Sequence, residues 1–187
     1  MPGVKLTYED LVRLPDDGMR HELIDGEHFV TPPPDSLHQA VSLNLSGLFW
    51  NYLRAHPIGR VFAAPYDVEL SRHTVIEPDL LYISNESAVG ALLPSHLKGV
   101  PELVIEIESP STRRYDQTTK LTAYGEAGVL EYWRIVPRTR TIEVHARAQS
   151  SVPFATPRLL PPPDVLTTPL LPSLELPLAV LFAGTDI

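Results

Sequence analysis

Asp79, Glu106 and Lys120 are the residues with the widest chemical scope in this sequence. Carboxylates bind hard divalent cations through oxygen. A cation held that way polarises a phosphate ester and lowers the pKa of the attacking water. A lysine beside it orients that water or stabilises the growing negative charge. Together the three types could hydrolyse a phosphodiester. The same types also suit plain structure. Asp79 follows Pro78, as turn residues do, and Glu106 could share a solvated strand face with Glu102 and Glu108. Lys120 could pair with Asp116 at i,i+4, worth about 0.2–0.5 kcal/mol. Spacing alone leaves both readings open.

The elements around these residues can be read from periodicity. Thr7 can cap a short helix through Leu14, stopped by the PDDG at 15–18. HELIDGEHFV at 21–30 reads as a hairpin turning at Asp25-Gly26. After the prolines at 32–34, Asp35 or Ser36 can cap a helix in which Val41, Leu45, Leu48, Phe49 and Tyr52 recur at helical spacing. It ends near His56-Pro57. Strands follow at 61–64 and 67–70, and DLLYIS at 79–84 is a strand that begins with its acid. A loop leads to ELVIEIE at 102–108, where Leu103, Ile105 and Ile107 alternate with Glu102, Val104, Glu106 and Glu108. That alternation places the isoleucines in a core and Glu106 on the opposite face. SPST at 109–112 caps a helix from about Arg113 to Ala127, with Gly128 as its C-cap. Two strands, 131–136 and 141–146, turn at Pro137-Arg138. The Pro-rich stretch beyond Ser150 is too apolar for a free linker. It is expected to pack, on the core or across a dimer interface, as irregular strands and turns. The order defines a mixed α/β domain, expected as one unit over 1–187 with a core at about 8–146 and an extension at 147–187.

Composition narrows the classes. A chain of 187 residues, 43% hydrophobic and 20% charged, is neither disordered nor membrane-spanning. Its first residues lack the charged-then-apolar layout of a secretory signal, so a cytoplasmic protein is expected. The absence of cysteine excludes disulfides and thiolate metal sites. The net charge of −8 argues against a protein that coats nucleic acid through many phosphate contacts. It is compatible with clustered carboxylates whose charge a bound cation offsets. Any basic strip must be local, drawn from Arg113, Arg114, Lys120, Arg138 and Arg140.

Several motifs occur together in one order: HELIDGE at 21–27, PPP at 32–34 followed by His38, EPDLLYIS at 77–84, PELVIEIESPSTRRYD at 101–116, then Lys120, Tyr124 and GVLEYWRIVP at 128–137. This set closely resembles the Uma-two family of restriction-endonuclease-like proteins, within the PD-(D/E)XK nuclease superfamily, from about Tyr8 to His145. The resemblance implies a central mixed sheet flanked by helices, with metal-binding acids near a strand bend. It places the motif aspartate on Asp79 and the first acid of the (D/E)XK element on Glu106. The lysine of that element would fall at position 108, where this chain has Glu108, and Lys120 on the next helix takes the role. Glu22 resembles an extra N-terminal acid that could ligate a metal; an ordinary hairpin residue is the alternative. His38 could contact phosphate or the metal shell, or simply cap its helix. Gln117 falls where the superfamily places a residue near substrate, and Arg113 precedes it. Asp116 could orient Lys120, and Tyr124, Tyr132 and Trp133 suit core packing.

The resulting expectation is a DNA endonuclease that uses Mg²⁺ or Mn²⁺. Asp79, Glu106 and Lys120 would be its catalytic set, Glu22 would join the two acids as a metal ligand, and His38, Gln117 and Arg113 would bind substrate. Cutting both strands needs two sites, which fits a homodimer. The competing reading is a catalytically idle domain that binds nucleic acid or protein. A third is a hydrolase of small phosphodiesters, which a closed pocket would favour over a long electropositive cleft.

Overall fold

The computed structural model describes residues 4–110 and 113–186. Thr7 opens α1 (Tyr8–Leu11), its backbone N–H and hydroxyl both donating to Asp10 Oδ2, at 3.0 and 2.9 Å. The helix stops three residues before Leu14, with Val12 as its C-cap. β1 (Arg20–Ile24) and β2 (Glu27–Thr31) form the hairpin. Its turn residues Asp25 and Gly26 have φ of +52° and +79°, the left-handed pair that a tight two-residue hairpin requires. α2 (Ser36–Ala55) begins where Asp35 Oδ1 accepts the His38 N–H at 2.9 Å.

Strands β3 (Gly59–Ala63), β4 (Asp67–Ser71), β5 (Thr74–Ile76), β6 (Leu80–Ser84), β7 (His96–Lys98) and β8 (Leu103–Ile107) follow. The segment read as a loop before β8 therefore contains β7. Three residues are too few for alternation to show. The expected single helix over 113–127 is also corrected. It consists of α3 (Arg113–Tyr115), a π turn over Asp116–Lys120, and α4 (Leu121–Ala127), closed by Gly128 at φ +103°. Of the cap expected at 109–112, Ser111 and Thr112 lie outside the described residues. β9 (Glu131–Val136), β10 (Thr141–Ala146), β11 (Arg158–Leu160), β12 (Val165–Leu166), β13 (Leu176–Pro177) and α5 (Leu178–Leu181) complete the chain.

A mixed six-stranded sheet, ordered β11-β10-β9-β8-β6-β3, forms the centre; β8 and β9 are its parallel pair. A second sheet of five strands, β2-β1-β5-β4-β7, adds to the single sheet expected. The chain passes between them at Glu77-Pro78-Asp79. Proline has no N–H to donate and restricts the residue before it, so the ladder of β5 ends there and β6 starts in the other sheet.

Alternation gives the central sheet two different faces. Leu80, Tyr82, Leu103, Ile105, Ile107, Trp133, Ile135, Ile142 and Val144 join Val41, Leu45 and Phe49 of α2 in the main core. The Pro-rich stretch packs on that same core through Leu166, Leu171, Leu174, Leu176, Leu178, Leu181 and Phe182. Each such side chain, fully buried, contributes roughly 1.5–3 kcal/mol, enough to order a segment whose prolines prevent regular structure. The opposite face carries Val104, Glu106, Tyr132 and Arg134; Val104 and Tyr132 pack there with Ile76 of the second sheet and with Ala123 and Tyr124 of α4. Among the described residues, no helix is long and apolar enough to cross a membrane.

Candidate active site

The register of β6 against β8 pairs Leu81 with Val104 and Leu80 with Ile105. One step further puts Asp79 opposite Glu106, on the face away from α2. Side chains so placed have Cβ atoms about 4.5–5.5 Å apart. The Ile107 N–H, at the end of β8, donates to Asp79 Oδ2 at 2.7 Å. His38 Nε2 lies 2.9 Å from the same oxygen. Arg20 Nη1 donates to Asp79 Oδ1 at 3.0 Å, while its Nε lies 2.7 Å from Glu77 Oε1. Asp79 is thus held by three elements: β1, the first turn of α2, and β8.

Lys120 reaches the same face from the π turn. Its Nζ lies 3.0 Å from Glu106 Oε1 and 2.9 Å from Glu22 Oε1. Tyr124, one turn later, donates its hydroxyl to Glu106 Oε1 at 2.5 Å. The Glu77 N–H donates to Glu22 Oε1 at 2.9 Å. Glu22, Asp79, Glu106 and Lys120 are each no more than 2% exposed. A π turn is wider than an α turn and commonly marks a functional site. Here Asp116, Lys120 and Tyr124 all turn inward, and the Tyr115 ring centroid lies 5.5 Å from the ammonium.

Burial disfavours every charge at this centre, and the outcome differs by neighbour. Burial pushes the Asp79 carboxyl up, but the hydrogen bond and charge of His38, with Arg20 and Lys120, bring it down to about 2. Glu106 is raised well above the usual carboxylate range: burial outweighs Lys120, and Asp79, Asp116 and Glu22 add repulsion. Burial works against the Lys120 ammonium too, yet Glu106, Glu22 and Asp116 outweigh it and its pKa rises. Arg20 follows the same pattern with Asp79 and Glu77.

Five carboxylates, of Glu22, Glu77, Asp79, Glu106 and Asp116, therefore share the field of two permanent cations, Arg20 and Lys120. Glu22 Oε2 is buried and has no hydrogen-bond partner among the described residues. An oxygen-only donor set with surplus negative charge fits a hard divalent cation. The donors are not gathered in advance: among the described residues, no three His, Asp or Glu side chains form a metal cage. Lys120 Nζ occupies the space between Glu22 and Glu106.

A recess of about 320 Å³ opens onto this centre, lined by Arg20, His38, Glu77 and Asp79 and walled by Pro32, Pro33, Pro34 and Pro65. A second void of about 20 Å³ reaches Asp79, Glu106 and Ile107. A cavity of about 640 Å³ bordered by Thr118, Thr119 and Thr122 touches none of the four buried residues.

The structure brings Asp79, Glu106, Lys120, Glu22 and His38 together. It does not bring Gln117 or Arg113 to them. Gln117 is half-buried on the π turn. Arg113 is exposed, its Nε 3.5 Å from Glu108 Oε1, and it lines a separate depression with Arg138. Glu102 and Glu108, which alternation sets on the same face as Glu106, do not join the centre. They share its face of β8, but same-face strand neighbours stand nearly 7 Å apart and each has its own partners. Glu102 accepts from the Ser84 N–H and hydroxyl and from the Ser87 hydroxyl. Glu108 pairs with Arg134, which also binds Glu143. Sequence reasoning missed Arg20, Glu77 and Tyr115. Glu77 and Tyr115 lie inside the motifs EPDLLYIS and PELVIEIESPSTRRYD, and Arg20 directly precedes HELIDGE, which are the signals that could have flagged them.

A mixed α/β domain with a buried acid–lysine centre, where two paired strands end, is the class that these features define. The chain belongs to the Uma2 family, described as "Putative restriction endonuclease", whose model matches residues 8–179. A search of curated proteins gives no match. Among solved structures, the chain is similar to a protein of Anabaena variabilis ATCC 29413 described as "a putative nuclease belonging to DUF820". The TM-score is 0.79 at 19% identity, covering 96% of this chain and 99% of the other. At that identity the likeness speaks to fold.

Proposed function

We propose that this protein is an endonuclease that hydrolyses phosphodiester bonds in DNA with Mg²⁺ or Mn²⁺. The observation that carries the reading is the placement of Lys120 Nζ between Glu106 and Glu22, next to Asp79 on the paired strand. Asp79, Glu106 and Glu22 would hold the cation. Bound there, it would polarise the phosphate and acidify water. For a cation to enter, Lys120 must give up one of its two carboxylates. The freed ammonium is then positioned to orient water or to stabilise the phosphorane charge. Arg20 and His38 face the recess and can contact a phosphate oxygen.

The basic strip supports a polymeric substrate. Arg113 and Arg138 line one depression, and Arg138 and Arg140 line another that shares Pro137 with it. This strip lies beyond Ser109, at the end of β8, so a strand could lie across it with one phosphate at Asp79. The burial and pairing of all four central residues supports the second reading, a catalytically idle domain held together by an ionic core.

Cleavage of supercoiled plasmid with Mg²⁺ or Mn²⁺ separates the two. The proposal requires nicking or linearisation that EDTA stops and that Lys120→Ala abolishes. Activity that survives Lys120→Ala counts against it, as does wild-type inactivity on plasmid and on single-stranded DNA.

A further inference from the structure

We propose that the outer face of α2 is a self-association surface, and that its partner is a second copy of this chain. The inference does not depend on the reading of the buried centre. Arg54 is the one Lys, Arg, Asp or Glu among the twenty residues of α2. Solvent-facing helical surfaces ordinarily carry charge. Here Leu43 is 74% exposed and Trp50 62% exposed. They sit on one stripe with Ser36, Gln39 and Gly47.

Gly47 is the second observation. A Cβ built there would meet no atom within 4 Å. Glycine in mid-helix is less favourable than alanine, and no contact among the described residues requires it. A close approach from outside would. Leu43 lies four residues before Gly47 and Trp50 three after, offsets of about 6 and 4.5 Å along the axis. An antiparallel two-fold crossing at Gly47 therefore sets Leu43 of each copy beside Trp50 of the other. A surface that matches itself in this way is what a two-fold dimer needs.

Charge leaves this surface open to a second copy. Each copy carries a net −8, so two copies repel over most of their surfaces. This strip, whose one charge is Arg54 near the C-terminal end of α2, lets them meet at Gly47 without opposing like charges, and a buried tryptophan is a typical anchor of such contacts. The strip also extends sideways. Asn44 Nδ2 donates to Leu181 O and to Ala183 O, both at 2.9 Å, which seats α5 alongside α2. Val180 on α5 is 49% exposed. α2 alone, about 30 Å long and 10 Å across, supplies roughly half of the 600 Å² or so per side that smaller stable interfaces use; α5 widens it.

Sedimentation velocity across the micromolar range tests the proposal on the full chain. Wild type is expected to shift from monomer to dimer with concentration. Leu43→Glu and Trp50→Glu should each weaken association about thirtyfold or more with an unchanged far-ultraviolet circular dichroism spectrum. Gly47→Ala should raise the melting temperature of the monomer, since its methyl enters open space, yet weaken association about tenfold. A wild type that stays monomeric overturns the proposal, as does a dimer that survives both glutamate variants. Association unaffected by Gly47→Ala overturns the crossing at that residue.

Discussion

Lys120 Nζ stands 3.0 Å from Glu106 Oε1, and both side chains are only 2% exposed. A lysine in that position cannot be a surface partner of Asp116, as helical spacing alone allowed. It opposes, without cancelling, the effect of burial, which still leaves the Glu106 pKa well above the usual carboxylate range. The pair ties the helix after β8 to the strand that carries the acid.

Removing Lys120 should therefore cost stability as well as activity. Lys120→Ala leaves Glu106 and Glu22 without their cation, and breaking one side of a buried pair costs about 3–5 kcal/mol. Urea unfolding measures this. The added negative charge should make the variant respond more strongly to Mn²⁺ than wild type, read as a larger rise in melting temperature. A variant as stable as wild type would show that the pair is unimportant to the fold.

Divalent cations should stabilise the wild type by mass action, since the unfolded chain has no site. Asp79→Asn and Glu106→Gln are each expected to abolish the Mn²⁺-dependent melting shift and any cleavage. Calorimetric titration, with and without a DNA oligomer, provides the check. A shift that persists in both variants would place the metal elsewhere.

Stability should depend on pH in two limbs. Glu106 is raised, so its favourable state is fully present below its unfolded pKa, about 4.3, and is lost as pH rises through its folded value. Asp79 is lowered to about 2. Its contribution of roughly 2 kcal/mol is present above its unfolded pKa of about 3.9 and is lost as pH falls toward 2. In the absence of divalent cations the unfolding free energy should peak in weak acid. Glu106→Gln should flatten the upper limb and Asp79→Asn the lower. A profile unchanged by both substitutions would contradict these assignments.

Tyr124 combines packing with a hydrogen bond. Its ring is fully buried, and its hydroxyl donates to Glu106 Oε1. Tyr124→Phe keeps the ring and removes the donor, for an expected loss of about 1–3 kcal/mol. Glu106 should then titrate still higher, and the stability maximum should sharpen. Denaturation curves at pH 5 and pH 8 compare the two proteins; no loss at either would assign Tyr124 to packing alone.

Much of this architecture was legible in the sequence because it is local. The Asp25-Gly26 turn, the α2 cap at Asp35, the alternation in ELVIEI and the Gly128 stop depend on residues a few positions apart, and local sterics and hydrogen bonding determine them. Period-2 alternation alone assigned Leu103, Ile105 and Ile107 to a core and turned Glu106 the other way. The ordered motifs carried the family. What the sequence could not express is which distant groups meet. Arg20 reaches Asp79 across 59 positions, and Glu22 of β1 meets Lys120 of the π turn across almost a hundred. The π turn escapes periodicity because it inserts a wider turn into an otherwise helical pattern. Partition of the strands into separate sheets, burial of Glu106 beneath Tyr124, and separation of Glu102 and Glu108 from the centre are set by packing. Only the folded chain brings five carboxylates and two cations into one low-dielectric space, where their mutual field decides which keep their charge.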